Sequence, residues 1–127
     1  MIVKQLFFIA AGGAIGAVGR FLINDLIHKK LEGEFPYGTL TVNVVGCFLI
    51  GLLLQIETQS QWLTPSHRAL LVTGFLGALT TFSTFGHDTL RCANSNLTLA
   101  MLNIGSNVLF GILAVGFGII TARFFSG

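Results

Sequence analysis

Leu70-Leu71-Val72-Thr73-Gly74-Phe75-Leu76-Gly77-Ala78-Leu79-Thr80-Thr81-Phe82-Ser83-Thr84-Phe85-Gly86 is apolar enough to enter a bilayer, yet too polar and too interrupted to be a plain anchor. Gly74 and Gly77 leave the backbone unrestrained, and the hydroxyl residues Thr80, Thr81, Ser83 and Thr84 follow closely. Glycine costs a helix interior about 1 kcal/mol relative to alanine, and Ser and Thr side chains compete for backbone hydrogen bonds. The stretch therefore predicts a helix that breaks near mid-membrane. Non-helical backbone at that depth persists only where protein buries it or where it lines a cavity, because unpaired carbonyls in hydrocarbon cost several kcal/mol. The freed carbonyls need partners.

The surrounding chain fits a membrane setting. Of 127 residues, 53% are hydrophobic and 9% charged, with a mean hydropathy of +0.81, far from the roughly quarter-charged usage of a soluble domain. Apolar segments run from about Leu6 to Ile27, Thr39 to Ile56, Leu70 to Phe85 and Leu97 to Phe124. Helices of about 20 residues span a bilayer, so residues 1–127 read as a single all-α unit of four transmembrane helices. The loops hold most of the charge. The first, His28 to Gly38, carries Lys29, Lys30, Glu32, Glu34 and Pro36; the second holds Glu57, Gln59, Gln61, Pro65 and His67; the third, His87 to Asn96, reads as brief and polar. Tyr37 and Trp62 fall at span edges, where amphipathic rings favour the headgroup region. The apolar run after Lys4 has some features of a signal-peptide core, but it continues past Arg20 to Ile27, which suits a spanning helix.

Basic residues divide almost evenly between the two faces. Lys4, Arg68 and Arg123 fall on one side; Lys29, Lys30 and Arg91, with Arg20 nearby inside the first helix, fall on the other. The positive-inside rule has little to act on, so insertion in both orientations and an antiparallel homodimer are expected. A net charge of +2 with scattered basic residues gives no nucleic-acid footprint. Cys47 and Cys92 form no C-x-x-C motif and read as free thiols. Gly12, Gly16 and Gly19, with the later glycines, signal a tight bundle.

Several polar or aromatic residues inside the spans can carry chemistry. Gly77 and Thr80 lie on the expected turn, and their carbonyls suit a hard cation that a two-fold axis would enclose; neighbouring hydroxyls would satisfy the same carbonyls equally well. Phe82 and Phe85 share a helix face, where positive ring edges attract an anion or the rings simply pack. Asn43 has an amide that can donate two bonds to an anion or serve as interhelical glue. Asn103 and Asn107 lie one turn apart and can face the same groove. Arg20 either snorkels to the interface or concentrates anions in a vestibule. The acids Asp25, Glu32, Glu34, Glu57 and Asp88 fall at span ends or loops, leaving no central carboxylate for a proton-coupled cation exporter. His28, His67 and His87 show no metal-ligand spacing, and no Ser or Cys nucleophile has a plausible base, so no enzyme is indicated.

The run Gly74-Phe75-Leu76-Gly77-Ala78-Leu79-Thr80-Thr81-Phe82-Ser83-Thr84-Phe85, with Gly38-Thr39-Leu40-Thr41-Val42-Asn43 and Gly12-Gly13, Gly16 and Arg20, closely resembles the Fluc family of fluoride channels, also called CrcB. The likeness covers essentially the whole chain. It implies a dual-topology dimer in the bacterial inner membrane, with membrane lipid around it, that lets fluoride leave the cell through two narrow pores. A central sodium ion would be structural and not transported. By that resemblance Gly77 and Thr80 would supply carbonyls to sodium, and Phe82 and Phe85 would line the pore. Asn43 would be the donor beside them, with Ser83, Thr84 and Thr39 as nearby hydroxyls, Asn107 on the fourth-span track and Arg20 in a vestibule. Where the family usually places a serine and then a threonine along the fourth span, this chain has Gly111 and Val115, with Asn107 one turn before Gly111. Fluoride is small and hard, so close neutral donors strip its water while a narrow path rejects larger anions. A small multidrug-type four-helix exporter and a non-transporting membrane scaffold are the competing readings.

Overall fold

In a computed structural model of the chain, which describes residues 1–60 and 62–126, four helices are long and apolar enough to cross a membrane: Ile2–Lys30, Tyr37–Gln59, Pro65–Ser95 and Leu97–Phe125. We label Ile2–Lys30 α1 and Tyr37–Gln59 α2; the third divides into α3, residues 65–79, and α4, Phe82–Ser95; α5 is Leu97–Ser126. Gln61 of the second loop lies outside the described residues.

Helix ends follow from local chemistry. His28, Lys29 and Lys30 occupy the last turn of α1, where cations complement the carbonyl end of the helix dipole. Leu31 then turns extended, and Gly33 adopts φ 135°, a conformation that disfavours any side chain. Thr64 caps α3 by accepting from the His67 N–H, with Pro65 at the first helical position, where its missing N–H costs nothing. Arg68 donates to both carboxylate oxygens of Glu57 at 2.8 and 2.7 Å, tying the start of α3 to the end of α2.

Two seams organise the bundle: α1 lies along α3, and α2 lies along α5. Backbone meets backbone in both. A Cβ at Gly12 would strike the Leu70 carbonyl, and one at Gly74 would strike the Ile9 carbonyl; a Cβ at Gly118 would strike the Phe48 carbonyl, and one at Gly51 that of Val115. Small residues permit this approach where no hydrophobic effect drives helices together. Within the first seam, Ala69–Leu76 is π-helical, a wide turn that is rare and often found at functional sites. A small core of Val42, Leu76 and Leu79 sits where α2 meets α3. Large apolar side chains such as Ile15, Phe21, Met101, Ile112 and Phe117 remain on the outside, the surface that lipid would cover.

One expectation needs correction. Residues 87–95, read as a loop, continue α4 to Ser95. The inward face of that segment is polar and small, so it escaped an apolar-periodicity reading: Asp88 and Cys92, one turn apart, are both buried. Asp88 accepts a 2.7 Å bond from the Thr39 hydroxyl, and Ser95 donates to the Glu34 carboxylate at 2.9 Å. Asp88 is thus a buried, paired carboxylate and not a loop residue.

Candidate functional site

Between α3 and α4 the backbone leaves helical geometry for two residues, Thr80 (φ −79°, ψ 155°) and Thr81 (φ −149°, ψ 113°). Gly77 itself remains helical, so the turn begins three residues later than the glycine. In an uninterrupted helix the Gly77 carbonyl would receive the Thr81 N–H, and the Thr80 carbonyl would receive the Thr84 N–H. Neither bond forms in this way. The Thr81 N–H donates to Asn43 Oδ1 at 2.9 Å, and the Thr84 N–H donates to Thr81 Oγ1 at 3.2 Å as an N-cap. The two carbonyls that the sequence nominates for a cation are thus the two whose helical donors are diverted to side chains.

Asn43 acts on Thr81 as a neighbouring strand would. Its Oδ1 accepts from the Thr81 N–H, while Nδ2 donates to the Thr81 carbonyl at 3.3 Å and to Asn107 Oδ1 at 3.0 Å. The backbone N–H fixes which amide atom is oxygen, and both Asn43 N–H groups are then engaged within the chain. Of the two roles open to this residue, the interhelical one is occupied. The amide series continues: Asn107 Nδ2 donates to the carbonyl and the side-chain oxygen of Asn103, both at 3.0 Å, and Asn103 donates to Thr89 Oγ1 at 2.9 Å. Thr89 then donates to the Phe85 carbonyl at 2.7 Å. Gly46 opposes Thr80 so closely that a Cβ would overlap the threonine methyl; α2 and the break are fitted to one another.

A groove of about 430 Å³ runs along this region, lined by Asn43, Gly77, Thr80, Phe82, Phe85 and Asn107 together with Gly46, Cys47 and Thr81. The Phe82 and Phe85 rings lie 5.5 Å apart at 44°. Phe82 is 83% exposed, so one edge of the ring pair is open on the outside of the chain. Ser83 and Thr84 lie beside the groove, linked through Thr81, whose hydroxyl donates to Thr84 Oγ1 at 3.0 Å and lies 3.4 Å from Ser83 Oγ.

Thr39 and Arg20 lie elsewhere. Thr39 is buried, spends its hydroxyl proton on Asp88, and borders a second cavity of about 170 Å³ with Asn24, His28 and Arg91. Arg20 is half-buried and, among the described residues, makes no ion pair or hydrogen bond. Gly111 and Val115 are consumed by the α2–α5 seam: a Cβ on Gly111 would lie 3.4 Å from Cys47 Sγ, and the Val115 carbonyl abuts Gly51. Sequence reading missed Thr81 as the hub of the site and Thr89 as the end of the amide series. The spacing of Asn103 and Asn107 was the available signal, but nothing in one sequence aligns it with Thr89.

The profile of the family described as CrcB-like protein, Camphor Resistance (CrcB), matches residues 7–119. Proteins named fluoride-specific ion channel FluC are similar over nearly their whole length. That of Acidobacterium capsulatum is 46% identical over 120 residues, covering 94% of this chain and 96% of the relative. One from Dehalococcoides mccartyi is 46% identical over 115 residues, covering 90% and 88%. Another, from Hydrogenovibrio crunogenus, is 42% identical over 126 residues, covering 98% and 96%.

Proposed function

This chain belongs to the CrcB family, and from that premise we propose that it carries fluoride passively across the bacterial inner membrane and so lowers fluoride in the cytoplasm. It is a multi-pass membrane protein and an ion channel, not an enzyme. The observation that carries the reading to particular residues is the groove beside the broken third span, where two aromatic rings, hydroxyls and side-chain amides meet with no fixed charge among the described lining residues. Fluoride needs donors close enough to replace its water, and it must also leave, which a neutral lining allows.

In this mechanism the ring edges of Phe82 and Phe85 face the passing ion, and the hydroxyls of Ser83 and Thr84 supply donors beside them. Asn43 joins by exchange: its 3.3 Å bond to the Thr81 carbonyl is the longer of its two donated bonds and the cheaper for an anion to displace. Asn107 anchors the opposite side of Asn43. Arg20, with no partner among the described residues, draws anions into a vestibule, and Thr39 supports the α2 terminus through Asp88. Asp88 is already held by Thr39 and faces Arg91 at 3.6 Å and His87 at 3.7 Å, so it is not a free carboxylate for a cationic substrate. This speaks against an exporter of cations.

The subunit, residues 1–127, works as an antiparallel homodimer among membrane lipids, with the third helix broken near mid-membrane. The exposed Phe82 and Gly77 support a partner on that face. The carbonyls of Gly77 and Thr80, doubled by a two-fold axis, offer four neutral oxygens, a donor set that fits a hard monovalent cation such as sodium. When bound, sodium would supply positive charge that holds the two breaks together; it takes no part in transport. Fluoride efflux from liposomes, measured while an ionophore shunts the voltage, tests the function: rapid efflux of fluoride but not chloride is expected, and no flux in several lipid mixtures would leave a scaffold.

A further inference from the structure

We propose that Asn103 and Thr89 are positioning residues for the Phe82–Phe85 ring pair, acting through a hydrogen-bond circuit that clamps the ring-bearing turn at both ends. The inference rests on the channel reading above and adds two residues that do not line its groove.

The circuit starts and ends on the same turn of α4. Its first contact is Asn43 on the Thr81 backbone, immediately before Phe82; its last is the Thr89 hydroxyl on the carbonyl of Phe85. Between them the N–H donors all point one way, from Asn43 to Asn107, from Asn107 to Asn103 and from Asn103 to Thr89. Hydrogen bonds arranged head to tail polarise one another. A break at any member therefore reaches both ends.

Asn103 decides the direction. It is wholly buried, at 0% exposure, so its amide cannot turn to water for substitutes. Its Oδ1 accepts from Asn107, which leaves its Nδ2 to face Thr89. The Thr89 oxygen then has an N–H as its neighbour and must send its single proton to Phe85. A threonine hydroxyl bonded to the carbonyl four residues back tends to bend a helix, so this bond sets the local path of the backbone that carries the second ring. With neither residue in the groove lining, any effect on the ion passes through the members of the circuit that do line it, the ring pair at one end and the Asn43–Asn107 pair at the other.

Thr89→Val tests the clamp because valine keeps the shape and removes only the hydroxyl. In the full-length protein reconstituted into liposomes, fluoride flux per folded channel should fall about tenfold, the order expected for loss of one buried hydrogen bond from the conducting arrangement. Thr89→Ser, which retains the hydroxyl, should restore flux to near the native rate. Asn103→Leu should slow flux as well, and Asn103→Leu combined with Thr89→Val should be no slower than the worse single variant, because both cut one circuit. Native-like flux in Thr89→Val, or failure of Thr89→Ser to rescue, would overturn the inference. So would multiplying losses in the double variant, or a fall in thermal stability without a fall in flux. The unsubstituted protein keeps the two questions apart: if it passes no fluoride the channel reading fails, whereas if it conducts and Thr89→Val conducts equally only the clamp fails.

Discussion

Replacing Asn43 with aspartate changes one nitrogen to oxygen at the centre of the site. The accepted bond from the Thr81 N–H, at 2.9 Å, survives. The two donated bonds do not, and they leave carboxylate oxygen facing the Thr81 carbonyl at 3.3 Å and Asn107 Oδ1 at 3.0 Å. Each buried acceptor left unpaired costs about 1–3 kcal/mol, so the arrangement loses about 2–6 kcal/mol relative to its competitors. Asn107 can turn its amide to meet the new oxygen only by giving up two bonds to Asn103, which moves the cost along the series without removing it. A protonated carboxyl restores one donor of the two. Even the lower figure, about 2 kcal/mol, is a shift of roughly 30-fold in population, so fluoride efflux from liposomes should slow at least about tenfold. The fold should persist in a melting assay, because the close backbone contacts of Gly12 and Gly118 do not involve Asn43. A variant that conducts at the native rate would refute the reasoning that Asn43 holds the break in its conducting form.

Phe82→Ile should also slow fluoride flux sharply while leaving the fold intact, since this ring is 83% exposed within the chain; unchanged flux would remove Phe82 from the path. Gly118→Ala should lower thermal stability by about 1–3 kcal/mol through overpacking against Phe48 and Leu52, whereas Gly116→Ala, with open space around it, should be neutral or slightly stabilising in a melting assay. Thr39→Val removes the hydroxyl bond to Asp88, leaving the carboxylate only its longer contacts with Arg91 and His87, and should cost about 1.5–3 kcal/mol in the same assay, the usual worth of a hydrogen bond to a charged group. Replacing sodium with a large organic cation should weaken dimer association, read as a shift in the monomer–dimer midpoint, if the Gly77 and Thr80 carbonyls hold the ion.

The four spans were legible because lipid imposes a simple rule of length and composition, and segments such as Thr39 to Ile56 obey it over many residues. The hydroxyl-rich stretch likewise announced an irregular backbone, which falls at Thr80 and Thr81 while Gly77, expected on the turn, stays helical. What the sequence left hidden depends on contacts between distant residues. The π-helical Ala69–Leu76 lies where Gly74 meets the α1 backbone, a long-range contact that no local propensity encodes. Residues 87–95 looked like a loop because their buried face is Asp88 and Cys92, and only the Thr39 hydroxyl and the Glu34 segment make that face worth burying. Asn43 was visible as an amide with two possible uses; its alignment with the Thr81 backbone, which selects one of them in this structure, spans 38 residues of sequence.

The central claim is that the chain is a passive and fluoride-selective path, and current through a planar bilayer bathed by opposed concentration gradients of fluoride and chloride measures this directly. Current should reverse close to the fluoride equilibrium potential and should vanish when chloride replaces fluoride on both sides. Reversal near the chloride potential, or no current from folded protein inserted in the bilayer, would contradict it.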